Sequence, residues 1–143
     1  MCGIFGLIGN NTLPISFIQS KFIKGENRGP ETSILKSLKS QHSDVDIIIG
    51  FHRLAINGFL NSASEQPIKK ENCLLICNGE IYNWGPLAIE CDVKCDTGSD
   101  CEIIIHLYKK YGAKQTLQML DGVFAFILYD QEKDCIFIAR DSL

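Results

Sequence analysis

The run Val123-Phe124-Ala125-Phe126-Ile127-Leu128 is apolar at every position. That pattern fits a β-strand covered on both faces better than one with a wet face, which would alternate. Strand-length apolar runs recur at Cys2–Ile8, Val45–Phe51, Cys73–Cys77, Val123–Tyr129 and Cys135–Ala139. The polar stretch Asp130-Gln131-Glu132-Lys133-Asp134 between the last two reads as a hairpin connection. Helices are fewer. One is expected within Pro14–Lys24, with Ile15, Phe17, Ile18 and Phe22 as its apolar face. A second is expected from Ser99 to Tyr111, where Ser99-x-x-Glu102 matches a capping box. There Ile103, Leu107, Tyr108 and Tyr111 recur at helical spacing. A third short helical segment falls around Lys114–Leu120, and Asn57–Gln66 is the longest expected loop.

At 143 residues the chain has room for one domain with a real core. No repeat, low-complexity tract or linker divides it. A net charge of −3 without a Lys/Arg stripe gives no reason to expect nucleic acid. No apolar run is long enough to cross a bilayer, and no targeting segment is visible, so a cytoplasmic protein is expected. Seven cysteines, an odd number, argue for free thiols over a disulfide framework. Cys73-x3-Cys77 and Cys91-x3-Cys95 suggest zinc only superficially. A strand from Cys73 to Cys77 holds its ends roughly 13 Å apart, so no metal site is expected.

Chemistry begins at Cys2. Aminopeptidases remove an initial Met before a small residue, and the mature chain would then carry a thiol and a free α-amine on one residue. An α-amine with a pKa of about 7.7–8.0 accepts protons near neutrality, so Cys2 could supply both nucleophile and base. Taken alone, Cys2 reads first as an incidental first-strand residue. Asn78-Gly79 is first of all a turn signal, and otherwise a pair of oxyanion donors. Arg53 at a strand end suits a substrate carboxylate or a surface ion pair. Asp100 suits a helix cap or the ammonium of an amino acid. Arg28-Gly29-Pro30 reads as a rigid turn with a structural arginine.

Together these elements form an ordered set. Cys2-Gly3-Ile4-Phe5-Gly6 comes first, then Arg28-Gly29-Pro30-Glu31, Phe51-His52-Arg53-Leu54-Ala55-Ile56 and Gln66-Pro67. Asn78-Gly79-Glu80-Ile81-Tyr82-Asn83, Ser99-Asp100-x-Glu102, Leu120–Phe126 and Ala139-Arg140-Asp141 follow. In that order the chain resembles the glutaminase domain of class II glutamine amidotransferases, and most of all that of eukaryotic glutamine-hydrolysing asparagine synthetases. The hexapeptide Asn78–Asn83 is the most discriminating element.

The resemblance implies an α+β fold, the four-layer αββα sandwich of N-terminal nucleophile hydrolases, incomplete at its C-terminus. It implies that Cys2 attacks the side-chain amide of glutamine, with Asn78 and Gly79 stabilising the oxyanion. Arg53 would hold the substrate carboxylate and Asp100 its ammonium, with Leu54, Ile56 and Glu80 also contacting glutamine. No cofactor is implied for this half-reaction. The ammonia would amidate aspartate on an ATP- and Mg-dependent synthetase domain absent from residues 1–143, which read as a partial glutaminase domain. The partners implied are glutamine and that synthetase domain or a full-length synthetase. Departures from the family pattern are Asn27 and Glu31 around Arg28-Gly29-Pro30, Gly58 in place of a usual Asp, and a longer loop to Gln66-Pro67. Two other readings stand beside this one. The chain could be a non-catalytic remnant that binds or regulates a synthetase, or the glutaminase part of another amidotransferase such as glucosamine-phosphate synthase.

Overall fold

A computed structural model describes residues 2–10, 12–54 and 64–142. The apolar runs become the middle of two antiparallel sheets. The first has the order β1-β3-β2, from β1 Gly3–Gly9, β2 Thr32–Lys39 and β3 Asp46–Arg53. The second has the order β4-β5-β6-β7, from β4 Ile68–Lys70, β5 Cys73–Ile81, β6 Gly122–Asp130 and β7 Cys135–Arg140. Three α-helices are present among the described residues: α1 Ile15–Phe22, α2 Trp84–Cys91 and α3 Ile103–Met119.

Strands apolar on both faces have two partners, and β5 and β6 show how. Alternate side chains of β5 and β6, Leu74, Ile76, Ile127 and Tyr129, meet Ile47, Ile49 and Phe51 of β3 in a core shared by both sheets. The intervening residues Leu75, Cys77, Phe126 and Leu128 pack with Leu87 of α2 and Ile103, Ile104 and Leu107 of α3. On the first sheet, α1 buries Ile18 and Phe22. Phe22 lies so close to β3 that a Cβ on Gly50 would stand 2.5 Å from its ring. The buried His52 stacks on the same ring at 4.0 Å, with Nε2 at 2.9 Å from Phe22 O and Nδ1 at 2.7 Å from Ser33 Oγ.

Some expectations need correction. Ile15 and Phe17 are exposed, because a helix of eight residues presents a single i, i+4 stripe to the sheet. Arg28 ends a 3₁₀ helix, Ile23–Arg28, that continues directly from α1. Ser99 caps, but through a bond from Cys101 N to its Oγ at 3.3 Å, and the first turn, Asp100–Glu102, is 3₁₀. The capping box does not close, because the Glu102 carboxylate turns to Lys70 and Thr97. The two helical segments expected, Ser99–Tyr111 and Lys114–Leu120, are both present as the two lengths of α3, separated at Gly112, whose φ of 77° is not helical. Tyr111 at that break is exposed. The strands β2 and β4 and the helix α2 were not expected. The longest expected loop, Asn57–Gln66, lies outside the described residues up to residue 63. All seven cysteines are free thiols, as their odd count suggested. No described helix is long and apolar enough to cross a membrane.

Candidate active site

The register of the first sheet sets where Cys2 lies. Gly3 pairs with His52, so Cys2 comes to the end of β3 that carries Arg53 and Leu54. Its Sγ is held by the Leu54 backbone, 3.4 Å from the N–H that donates to it and 3.4 Å from the carbonyl that accepts from it. Arg28, expected to be structural, reaches the same residue, donating from Nε to Cys2 O at 3.3 Å.

In the second sheet β5 provides an edge. Asn78-Gly79 is strand here and not the turn that its composition first suggests. Gly79 has φ 157°, and a Cβ on it would stand 2.2 Å from Val123 O and 2.5 Å from Phe124 Cα, so only glycine fits. An antiparallel ladder turns successive backbone amides to opposite sides. Asn78 and Glu80 face β6, while Cys77, Gly79 and Ile81 face the opposite edge. There the Gln66 side chain takes both backbone groups of Cys77, and Asp100 Oδ2 accepts from Ile81 N at 2.6 Å. The strand β4 begins only at Ile68, so no described strand lies opposite Gly79, and its N–H faces the cavity that Gly79 lines.

That cavity, about 300 Å³, lies where the two sheets meet. Cys2, Arg53, Leu54, Asn78, Gly79, Glu80 and Asp100 all line it. Seven of the eight expected site residues are thus brought to one place, and Ile56 lies outside the described residues. The sequence reading did not assign Ser64, Cys77, Tyr82, Ser99 or Cys101 to the site, although they line it, nor give Gln66 a role of its own. The Pro67 that follows Gln66 was the available signal, since proline in a sheet is confined to a strand's start, an edge or a bulge.

The electrostatics are asymmetric. Arg53, mostly buried, donates from Nη2 to Ser64 Oγ at 3.2 Å and pairs through Nη1 with Glu65 at 3.7 Å. Burial raises Asp100 above the usual carboxylate range against its backbone N–H partners, and nearby Glu80 raises it further. The hydrogen bond that the Cys77 thiol gives to Cys101, together with burial, pushes this thiol well up, so it stays protonated. The Asn78 side-chain Oδ1 is buried with no hydrogen-bond partner among the described residues. An orphaned polar atom on a cavity wall is where a ligand's polar group would be received.

Side chains of metal-ligating type cluster elsewhere, where atoms of Cys95, Glu102 and His106 lie within 4.8 Å of one another. There the Lys70 ammonium already stands 2.5 Å from Glu102 Oε1, and both Glu102 oxygens are engaged. A cation is therefore supplied by the chain itself.

The sequence model of the glutamine amidotransferase domain matches residues 1–143. The chain belongs to this family. Among curated relatives of this amidotransferase domain, the asparagine synthetases (glutamine-hydrolyzing) of Mesocricetus auratus and Bos taurus are each 38% identical, over 99% of the chain. That of Homo sapiens is 37% identical over the same share. The chain spans about a quarter of the length of these relatives, 25% in each case.

Proposed function

We propose that this chain hydrolyses glutamine to glutamate and ammonia through a thioester on Cys2. With Met1 removed, the Cys2 α-amine takes the thiol proton as Sγ attacks the side-chain amide carbon. The oxygen that becomes negative is held by the Asn78 side-chain N–H and the Gly79 backbone N–H. The intermediate collapses, the ammonium of Cys2 returns its proton to the leaving nitrogen, and ammonia departs. Water then cleaves the thioester and frees glutamate. Arg53 binds the substrate carboxylate, Asp100 its ammonium, and Leu54, Ile56 and Glu80 complete the pocket.

The observation that carries this reading is the convergence of Cys2, Arg53, Asn78, Gly79 and Asp100 on one cavity. They come from separate strands and from the start of a helix. A chance set of polar residues has no reason to hold a nucleophile, two donors and both ends of an amino-acid clamp. The four-layer αββα arrangement is supported by α2 and α3 on one sheet, a core shared by both sheets, and α1 on the other.

In the same reading residues 1–143 are part of a glutaminase domain acting in the cytoplasm for asparagine synthesis. The ammonia serves an ATP- and Mg-dependent amidation of aspartate on a synthetase domain outside this chain, and the glutaminase step needs no cofactor. The likeness to glutamine-hydrolyzing asparagine synthetases supports this.

The test is ammonia and glutamate release from glutamine by the intact protein beside its Cys2→Ala variant. Turnover that vanishes in the variant is expected. Undiminished turnover in Cys2→Ala, or none in protein shown by mass to begin at Cys2, overturns the proposal.

A further inference from the structure

We propose that Gln66 is a positioning residue for the oxyanion donors, acting through the backbone of Cys77. The inference rests on the glutaminase reading and adds to it a residue outside the substrate clamp.

The pairing of β4 with β5 sets Ile68 opposite Leu75 and Lys70 opposite Cys73. Continued by two residues, that register places Gln66 opposite Cys77. The backbone itself does not continue the ladder, since β4 begins only at Ile68. The Gln66 side chain supplies what is missing. Its Nε2 donates to Cys77 O at 2.9 Å and its Oε1 accepts from Cys77 N at 2.5 Å, both buried. A primary amide thus reproduces the two-way exchange of a hydrogen-bonded antiparallel pair.

Cys77 immediately precedes both oxyanion donors. Asn78 is the next residue, and Gly79 is the next whose N–H faces the same edge. On this edge Asp100 fixes Ile81 on the far side of Gly79. Gln66 and Asp100 therefore hold the backbone on either side of an amide that must stay open. If the Gln66 bonds are lost, β5 keeps β6 along its whole length but loses its edge partner immediately before the donors. A displacement of about 1 Å at a reacting group is enough to cost on the order of 10²-fold in rate.

Gln66→Met keeps the length and volume and removes both hydrogen bonds. It is expected to lower kcat for glutamine hydrolysis about 10²-fold while KM changes less than about twofold, because Arg53 and Asp100 still hold the substrate. Amide hydrogen exchange at Cys77 should speed up, while Leu75, still paired with β4, stays protected. Gln66→Glu is the conservative partner. When protonated it can accept from Cys77 N and donate to Cys77 O, so its kcat relative to the parent should recover as pH falls. An unchanged kcat in Gln66→Met despite faster exchange at Cys77 overturns the proposal, and so does unchanged exchange. If the Met variant does not fold, absence of acid recovery in Gln66→Glu overturns it. Parent protein that begins at Cys2 and releases no ammonia refutes the glutaminase reading instead, and exchange at Cys77 then decides alone whether Gln66 holds the strand.

Discussion

Glu102 should stabilise the fold in a way that disappears within a definite pH range. Its side chain is fully buried just before α3. Oε1 meets Lys70 Nζ at 2.5 Å and His106 Nε2 at 3.3 Å, while Oε2 accepts from Thr97 N and Oγ1 at 2.7 Å each. Burial alone would raise the pKa of such a carboxyl. The Lys70 ammonium and the Thr97 donors outweigh it and bring the group from 4.5 to about 2. A carboxylate depressed on folding gives stability that is whole above its unfolded value and fades as pH falls through its folded one. At about 1.4 kcal/mol per pH unit this amounts to about 3 kcal/mol. Glu102→Gln keeps the shape and removes the charge, and Lys70 retains Asp96 at 3.3 Å. Urea denaturation at pH 7 should show the variant less stable by about 3 kcal/mol. The gap between the two proteins should narrow below pH 4.5 and close near pH 2. A gap that stays constant across that window, or none at pH 7, refutes the reasoning.

Other outcomes follow from the site. Asp100 is raised by burial and must be ionised to hold an ammonium, so kcat/KM for glutamine should fall on the acid side at a pH above the usual carboxylate range. Asp100→Asn should remove that limb and raise KM, as a pH-rate profile would show. Gly79→Ala must push β5 off β6, since Val123 O and Phe124 Cα stand 2.2 and 2.5 Å from the new Cβ. A loss of about 1–3 kcal/mol in thermal denaturation is expected, with glutamine turnover down by on the order of 10²-fold or more. Glu65, half exposed, pairs with the Arg53 guanidinium that the substrate carboxylate would use. Glu65→Ala should therefore lower KM for glutamine by about two- to fivefold with kcat unchanged, a change of under about 1 kcal/mol as suits a half-exposed pair. An initial-rate series in glutamine decides it.

Continuous apolar runs made β3, β5 and β6 legible, because the middle of a strand covered on both faces is filled by apolar side chains at successive positions. The strand β2 escaped notice for the opposite reason. Thr32–Lys39 lies at a sheet edge with its residues exposed or half-buried, and its Ile34, Leu35 and Leu38 neither alternate nor run on. A strand as short as β4 has no periodicity to read, and Gly85-Pro86 hid α2 behind turn chemistry. That Cys2, Arg53, Asn78, Gly79 and Asp100 belong together was legible from the order of the motifs and the resemblance they carry, since each residue alone also suits a strand, turn, ion pair or cap, and the structure brings all five to one cavity. The part taken by Gln66 was not. It depends on which residue of β5 stands opposite, and register belongs to the pairing of strands rather than to either strand alone.

The core shared by the two sheets has a consequence beyond stability. Cys2 and Arg53 belong to one sheet and Asn78 and Gly79 to the other, so no covalent segment shorter than a long detour of chain fixes the distance between them. That distance is set by the thickness of the layer formed by Ile49, Phe51, Leu74, Ile76 and Ile127. On the proposed mechanism, volume in this layer therefore acts as a gauge on the reaction. A cavity made there, remote from any reacting atom, would let the halves of the pocket drift together or apart while both sheets stay folded. Chemistry would then fail at temperatures where the fold still holds.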